Sequence, residues 1–306
     1  MERKDIVLNN GVTMPPIGYG VFRMTNLEEC ESAVVQAVKT GYRLIDTAAA
    51  YENETAVGKA IKRVIAEGIV KREDLFVTTK LWITDTNYEK AKEGFQRSLD
   101  RLGLDYVDIF YHHRPDPNTP IEETCLALKQ IVDSGKALYI GVSNYSFEQV
   151  KAAYPIFKEL KVPFVLLQMQ YSILDRTVET SGLKKFAHEN GLAITAYSPL
   201  AQGLLTDRYL HGIPEDSRMN RNLDLKRERL TDELSGKIVR LNELAQARGQ
   251  TLAEMALSWT LKDSDVASSI VGASRPQQIE DDLKINASFT EGELARIDDI
   301  VLTKER

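Results

Sequence analysis

Short apolar runs alternate with longer amphipathic stretches along most of the chain. Each run is followed by a break rich in Gly, Ser, Asn or Asp, and then by residues whose apolar positions recur with helical spacing. Eight such runs are predicted to be strands. They are Ile17–Phe22, Arg43–Asp46, Leu75–Lys80, Val107–His112, Leu138–Val142, Phe164–Gln168, Ala193–Tyr197 and Ser269–Val271.

The stretches between these strands are predicted to be helices. They cover residues 27–40, 52–68, 88–102, 121–134, 147–160, 179–190, 235–248, 251–262 and 276–285. Regular alternation of strand and helix favours parallel pairing, and eight such units close a (β/α)₈ TIM barrel. A doubly wound open sheet is the alternative, but it needs a Gly-rich fingerprint after the first strand, where this chain reads GYGVF.

Three segments fall outside the repeat. Residues 5–16 contain Asn10-Gly11 between two apolar runs, which predicts an N-terminal β-hairpin. Residues 201–234 form a long, polar and basic loop after the seventh strand, and loops of this length are commonly functional. A further helix is predicted at 290–303. We expect a single barrel domain over residues 1–306.

Composition narrows the class of partner. The chain has 39 Lys and Arg against 45 Asp and Glu, and its formal charge of −6 comes without a long basic run, which argues against a nucleic-acid partner. The N-terminus lacks the apolar core of a secretory signal, and no stretch is long enough to span a membrane. We therefore expect a cytoplasmic monomer or weak homo-oligomer that acts on a small molecule.

Candidate chemistry lies where three consecutive strands end. Asp46 ends the second strand with Tyr51 five residues later, Lys80 ends the third strand, and His113 follows the fourth. Each has an ordinary explanation on its own: Asp46 as a helix cap, Lys80 as a solvated side chain, His113 as a loop residue. In a barrel, however, the carboxyl ends of the strands meet at one mouth, so these four side chains are expected to converge.

These residue types suit proton transfer to a carbonyl. An ammonium such as that of Lys80 lowers the pKa of a nearby phenol, and Asp46 would balance the buried charge of Lys80. An imidazole can polarise a carbonyl oxygen through a hydrogen bond. His112 directly precedes His113 and has the same chemistry.

The chain resembles the aldo-keto reductases over nearly its whole length. The matching pieces are LNNGVTMPPIGYGVF, GYRLIDTAAAYENE, VTTKLW, LDYVDIFYHHRPD, IGVSN, LLQMQYS, AYSPL and IVGASRPQQIEDDL, in the family's order. The resemblance implies an enzyme that reduces aldehydes or ketones with NADP(H), without a Gly-rich loop. It also implies a catalytic tetrad of Asp46, Tyr51, Lys80 and His113, with Tyr51 as the general acid. By the resemblance the histidine is His113 rather than His112, because His113 directly precedes the Arg-Pro that replaces the family's Trp-Pro.

The resemblance further implies how the cofactor is held. Ser143, Asn144 and Gln168 would bind the nicotinamide carboxamide, and Tyr197 would stack on the nicotinamide ring. Groups in the long loop would hold the pyrophosphate and adenosine phosphate; they are Ser198, Leu200, Gly203 and Arg218. Groups after the eighth strand would hold the 2′-phosphate and the adenosine; they are Gly272, Ser274, Arg275, Gln278, Asp281 and Asp282.

The chain departs from common members at several positions. Arg114 stands where many have Trp, Leu167 where many have Asn, and Gly272-Ala273 where many have Lys-Ser. These changes leave NAD(H) possible as the cofactor. The substrate pocket is expected to be lined by Tyr19, Phe22 and Trp82, which would favour apolar or aromatic aldehydes.

Two other functions fit parts of the pattern. The same fold serves cofactor-binding regulatory subunits of channels, although here all four tetrad positions are filled. A metal-dependent hydrolase would need clustered His and carboxylate ligands at strand ends. Of the four histidines, His188 is expected in a helix and His211 in the long loop, so no metal is expected.

Overall fold

The computed structural model describes residues 6–210, 212–213, 215, 219–220, 227–273 and 276–303. It begins with the predicted hairpin, in which β1 (Ile6–Val7) pairs antiparallel with β2 (Thr13–Met14). Gly11 lies in the connecting turn with a φ of 83°, a conformation that glycine adopts without strain. The hairpin prediction is confirmed.

Eight further strands among the described residues pair in parallel and close on themselves, in the order β10-β3-β4-β5-β6-β7-β8-β9. They are β3 (Ile17–Gly20), β4 (Leu44–Asp46), β5 (Phe76–Leu81), β6 (Val107–His112), β7 (Ala137–Ser143), β8 (Phe164–Gln170), β9 (Ala193–Tyr197) and β10 (Val266–Val271). The (β/α)₈ barrel is confirmed, and the open sheet is excluded because β10 pairs with both β3 and β9.

Helices connect the strands and surround the barrel. They are α1 (Leu27–Thr40), α2 (Glu54–Ala66), α3 (Tyr88–Leu102), α4 (Ile121–Asp133), α5 (Phe147–Glu159), α6 (Thr177–Thr180), α7 (Leu183–Glu189), α8 (Asp232–Ala247), α9 (Leu252–Thr260), α10 (Pro276–Asp281) and α11 (Glu291–Leu302). Side-chain caps fix several starts: Ser146, Thr251 and Thr290 each accept a backbone N–H three residues on, within a capping box. None of the described helices has both the length and the apolar character needed to cross a bilayer.

Several predicted boundaries differ from the structure by a few residues, and two of the differences have a clear local reason. The helix expected at 179–190 is divided into α6 and α7, because Gly182 at φ 84° interrupts it. The helix expected from residue 52 begins instead at Glu54, since a 3₁₀ turn at Ala49–Tyr51 comes first. The long loop contains 3₁₀ turns at Ala201–Gly203, Asp207–Tyr209 and Arg227–Arg229.

The barrel interior is filled in layers because successive residues of a strand face opposite sides. At the end of the barrel where the strands begin, the interior holds apolar side chains from the hairpin and the strands. They are Leu8, Met14, Leu44, Ile109, Tyr111, Val165, Leu166, Ala193 and Ala267. The hairpin thus closes the end at which the strands begin. Polar side chains with the same parity, such as Asp46 two residues after Leu44, are directed into the barrel at the other end.

Candidate active site

A buried ion pair lies at the carboxyl ends of β4 and β5. Lys80 is fully buried, and its Nζ donates to Asp46 Oδ2 at 2.6 Å and to the backbone oxygen of Thr47 at 2.7 Å. The side chain of Asp46 is 5% exposed. Lys80 is therefore not the solvated terminal lysine that its position alone suggests.

Asp46 accepts two more hydrogen bonds, from Thr78 Oγ1 at 2.6 Å and from Gln168 Nε2 at 2.9 Å. It does not cap the following helix, since the N-cap residue of α2 is Asn53. Sequence reasoning missed Thr78, yet the signal was present: Thr78 precedes Lys80 by two residues in one strand, so the two side chains share a face. Together these donors hold Asp46 as an acceptor beside Lys80.

Tyr51 reaches this pair from the 3₁₀ turn between β4 and α2. Its Oη lies 3.4 Å from Lys80 Nζ. The turn is held by Asn53, whose Nδ2 donates to the backbone oxygens of Val21 at 2.8 Å and Met24 at 3.2 Å. Asn53 thus links two loops, the one that contains Tyr51 and the one that follows β3. Sequence reasoning did not identify this positioning contact.

The pKa of the Tyr51 phenol differs from the expectation. Burial raises it above its ordinary value; the charge of Lys80 opposes this effect without overcoming it. Desolvation lowers the pKa of Lys80, but Asp46 and Tyr51 more than compensate, so the pKa of Lys80 is raised. The expectation of a lowered phenol pKa neglected burial. At neutral pH the phenol is protonated and the amine is charged.

His113 completes the group of four. Its ring packs edge-on against Tyr51 with 5.7 Å between centroids, and its buried Nδ1 has no hydrogen-bond partner among the described residues. His112 has the opposite parity, and its Nδ1 is hydrogen-bonded to the hydroxyl of Tyr145 at 2.7 Å, outside the barrel interior. Burial, with Lys80 and Arg114 adding to it, lowers the pKa of His113 to about 3. The imidazole is therefore neutral at physiological pH.

Aromatic side chains flank this group. The Phe22 ring packs on Tyr51 at 4.9 Å between centroids, and Trp82 packs edge-on against His113 at 5.2 Å. Phe22 is 53% exposed, so this wall is open to solvent. The structure does not bring Tyr19 to the cleft: that side chain is fully buried, and its hydroxyl donates to Ala273 O at 2.8 Å.

Polar groups expected to hold a carboxamide cluster at the ends of β7 and β8. Ser143 and Gln168 are paired in register, and both are buried. Asn144 Nδ2 donates to Ser143 Oγ and to the backbone oxygen of His113, both at 3.0 Å. Tyr197 Oη donates to Asn144 Oδ1 at 2.6 Å. The structure therefore brings these four residues together beside the Asp46–Lys80 pair.

Strained backbone concentrates in the loops that follow the strands. Seven described residues other than glycine have positive φ, and six of them lie in these loops: Arg23, Glu52, Asn144, Ser198, Ala201 and Gln202. Such conformations persist where the surrounding structure enforces them, commonly at ligand sites. Leu200 and Gly203 belong to the loop after β9, and within the part of the chain that the structure describes the buried Oε1 of Gln202 has no hydrogen-bond partner.

Of the remaining residues predicted to bind the cofactor, some lie outside the described part of the chain and others lie near the end of β10 and in or directly after α10. Arg218, Ser274 and Arg275 lie outside the described residues. Gly272 follows β10 and is exposed, and Gln278 lies in α10. Asp281 pairs with Lys284 at 2.6 Å. Asp282 is buried, and burial together with Asp281 and Glu254 raises its pKa to about 7.

Comparison with known proteins identifies the family of this chain. The family model described as the aldo/keto reductase family matches residues 16–302. The chain belongs to the aldo/keto reductase family. The resemblance inferred from the motifs is thereby confirmed, and with it membership of an oxidoreductase family whose members bind NADP(H).

Three relatives of this aldo/keto reductase illustrate the range of similarity. An L-glyceraldehyde 3-phosphate reductase of Escherichia coli O157:H7 is 40% identical, covering 94% of this chain and 89% of that protein. A putative voltage-gated potassium channel subunit beta of Schizosaccharomyces pombe is 34% identical, covering 85% of this chain and 79% of that protein. A Bombyx mori aldo-keto reductase solved with NADP is 28% identical over 98% of this chain and 93% of its own, with a TM-score of 0.79.

The donor set suits a nicotinamide nucleotide. A carboxamide needs both donors and acceptors, and the hydroxyl of Ser143 with the amides of Asn144 and Gln168 supplies both. The unpartnered Oε1 of Gln202 offers a further acceptor in the loop after β9. The residues present therefore fit the cofactor that the family binds.

Proposed function

We propose that this chain reduces aldehydes or ketones to alcohols, with NADPH as the hydride donor. The observation that carries the proposal is the hydrogen bond of 3.4 Å between Tyr51 Oη and Lys80 Nζ, with Asp46 bound to the same amine. A protonated phenol beside a buried cation, at the mouth of a barrel, is suited to protonate a carbonyl oxygen.

Ser143, Asn144, Gln168 and Tyr197 would hold the nicotinamide of NADPH, which when bound would supply a hydride to the carbonyl carbon. NADH is the alternative donor, because Gly272-Ala273 stands where many members have the Lys-Ser pair for the 2′-phosphate. The residues of the chain have three separate tasks, which are to orient the carbonyl, to protonate its oxygen and to stabilise the charge left behind.

Tyr51 donates its proton to the carbonyl oxygen as negative charge develops there. The resulting phenolate is stabilised by Lys80, because a cation within hydrogen-bond distance favours the charged form of a phenol. Asp46 keeps Lys80 charged, since an ammonium that is fully buried without a counter-ion would lose its proton. In the reverse reaction the same phenolate accepts a proton from the alcohol.

His113 orients the carbonyl. A neutral imidazole carries one N–H donor, and the ring of His113 lies next to that of Tyr51. Because the buried Nδ1 finds no partner among the described residues, we assign the proton to Nε2, from which it can be donated to the carbonyl oxygen beside the phenol. Two donors on one oxygen stabilise the charge that develops there.

The names of two relatives suggest two different functions for this chain. The E. coli relative is named for a phosphorylated aldehyde, which favours a small aldehyde as the substrate here. The fission yeast relative is named as a channel subunit, which keeps a cofactor-binding regulatory role as the second candidate. The filled tetrad positions favour catalysis, because a purely regulatory subunit does not need a proton donor.

The test uses purified protein with NADPH and either benzaldehyde or glyceraldehyde, and follows the absorbance of the reduced nicotinamide. We expect turnover that persists in a chelator and falls on the order of a thousandfold in Tyr51→Phe. Tyr154→Phe is the matched control, since the Tyr154 hydroxyl donates to Asn190 O on the helical face. Absence of turnover with either aldehyde, together with NADPH binding, would support the regulatory role instead.

A further inference from the structure

The loop after β6 places an arginine beside the candidate proton donor. Arg114 directly follows His113, whose ring is 5.7 Å from that of Tyr51, and the Arg114 side chain is exposed. The backbone here is fixed on two sides: His113 N donates to Leu81 O at 3.1 Å, and Asn144 Nδ2 donates to His113 O at 3.0 Å. The arginine therefore extends from a fixed point on the rim of the cleft.

The charge of Arg114 acts inside the cleft. Burial is the largest influence on the pKa of Tyr51, His113 and Tyr197, and the positive charge of Arg114 lowers the pKa of all three. Tyr51 and His113 are in ring contact, and Arg114 directly follows His113 in the chain with its side chain exposed. Arg114 thus lies at the rim of the cleft that these side chains line.

Within the described part of the chain, Arg114 forms no hydrogen bond or ion pair. Asp46 is bound to Lys80. Asp116 and Asp175 accept hydrogen bonds from threonine side chains and form no ion pair with Arg114. The guanidinium donors at the rim are therefore available to a bound anion, although the chain as a whole has a formal charge of −6.

We infer that Arg114 binds an anionic group of the substrate, so that the enzyme prefers aldehydes carrying a phosphate or a carboxylate a few bonds from the carbonyl. This inference rests on the proposed reductase activity. A guanidinium presents paired N–H donors that match both oxyanions. The aromatic side chains of Phe22 and Trp82 alone would favour apolar aldehydes; Arg114 changes that preference at the rim.

The test compares two pairs of aldehydes, each differing only in charge: glyceraldehyde 3-phosphate against glyceraldehyde, and 4-carboxybenzaldehyde against benzaldehyde. Wild type is expected to show the higher kcat/KM with the charged member. In Arg114→Gln the ratio of charged to uncharged kcat/KM should fall by about tenfold or more, mainly through KM. Arg114→Lys should recover part of the ratio. The pair with the larger fall identifies phosphate or carboxylate as the preferred anion.

Arg296→Gln, at an exposed arginine of α11, is the matched control and should leave both ratios as in wild type. Equal ratios in wild type and Arg114→Gln would overturn the inference, as would a rise in the KM of NADPH without a change in either ratio. If no aldehyde is turned over, the proposed activity fails. Calorimetric titration with glycerol 3-phosphate then decides the role of Arg114: saturable binding lost in Arg114→Gln supports it, and no binding to wild type overturns it.

Discussion

The Nζ atom of Lys80 lies 3.4 Å from the hydroxyl oxygen of Tyr51, at the end of the barrel to which β5 brings Lys80 and the turn after β4 brings Tyr51. Neither residue is adjacent to the other in sequence, and the contact exists because β4 and β5 are paired with Asp46 opposite Thr78. Since Lys80 is fully buried, the pair depends on Asp46 for its charge balance. This dependence can be tested by separating charge balance from proton transfer.

Replacing Lys80 by Met should destabilise the protein and abolish most activity. The variant leaves Asp46 buried without its cation, which costs about 3–5 kcal/mol in comparable cases. The double variant Asp46→Asn/Lys80→Met removes both charges and should regain much of the free energy of unfolding while remaining inactive. Chemical denaturation and NADPH consumption measure the two effects. A double variant that recovers activity would show that Lys80 serves only the fold.

The acid side of the pH profile should lack a histidine titration. Because burial, Lys80 and Arg114 lower the pKa of His113 to about 3, the imidazole stays neutral as the pH falls through the usual value of about 6.5. We therefore expect the rate of reduction to be nearly constant between about pH 5.5 and pH 7.5. Steady-state rates at saturating substrate measure this directly.

The lowered pKa of His113 also makes the free energy of unfolding depend on pH. The pKa of His113 is lower in the folded than in the unfolded state, so the wild type loses stability as the pH falls from about 6.5 towards 3. His113→Gln should lose about 2 kcal/mol less between pH 7 and pH 5, since each unit of pKa difference is worth about 1.4 kcal/mol. Identical pH dependence in both proteins would contradict the neutral, buried imidazole.

Asp282→Asn should stabilise the protein at alkaline pH. Burial raises the pKa of Asp282 to about 7, so its contribution to stability is complete below the unfolded value of about 4 and is lost as the pH rises through 7. The variant should exceed wild type by up to about 4 kcal/mol near pH 8 and match it near pH 4. Denaturant midpoints at both pH values give the comparison.

The neighbouring carboxylate provides the control for that substitution. Asp281 is paired with Lys284, and this hydrogen bond lowers the pKa of Asp281. Between about pH 4 and pH 6, where Asp282 is still protonated in the folded state and is not repelled by Asp281, Asp281→Asn should therefore destabilise slightly, in the direction opposite to Asp282→Asn. If both variants shift the free energy of unfolding in the same direction near pH 6, the burial argument for Asp282 is wrong.

The barrel followed from the sequence because its evidence is local and repeated. Each strand is a short apolar run, each helix has an apolar face, and their alternation leaves little choice of topology. The convergence of Asp46, Tyr51, Lys80 and His113 followed from the same repeat, since strand ends meet at one face. Their catalytic roles remain a prediction that awaits the kinetic tests.

What sequence reasoning missed depends on contacts between distant segments. Thr78 and Asn53 support the candidate site through side-chain hydrogen bonds, and the sequence around each of them does not indicate which distant residue it binds. Tyr19 was expected in the pocket, but its parity within β3 directs it away from the barrel interior. The phenol pKa of Tyr51 was misjudged because burial is a property of the whole fold.

A glycine in the interior of α2 illustrates how such a contact overrides local preference. Gly58 lies where alanine would ordinarily stabilise a helix by about 1 kcal/mol. A Cβ at Gly58 would overlap the carbonyl oxygen of Leu102, at the end of α3, and would lie 2.6 Å from its carbonyl carbon. Because the obstacle is backbone, α2 and α3 would have to separate, and Gly58→Ala should destabilise by about 2 kcal/mol or more. Gly292→Ala in α11 meets nothing within 4 Å and should be neutral or stabilising in the same denaturation experiment; a stabilised Gly58→Ala would show that the two helices do not approach this closely.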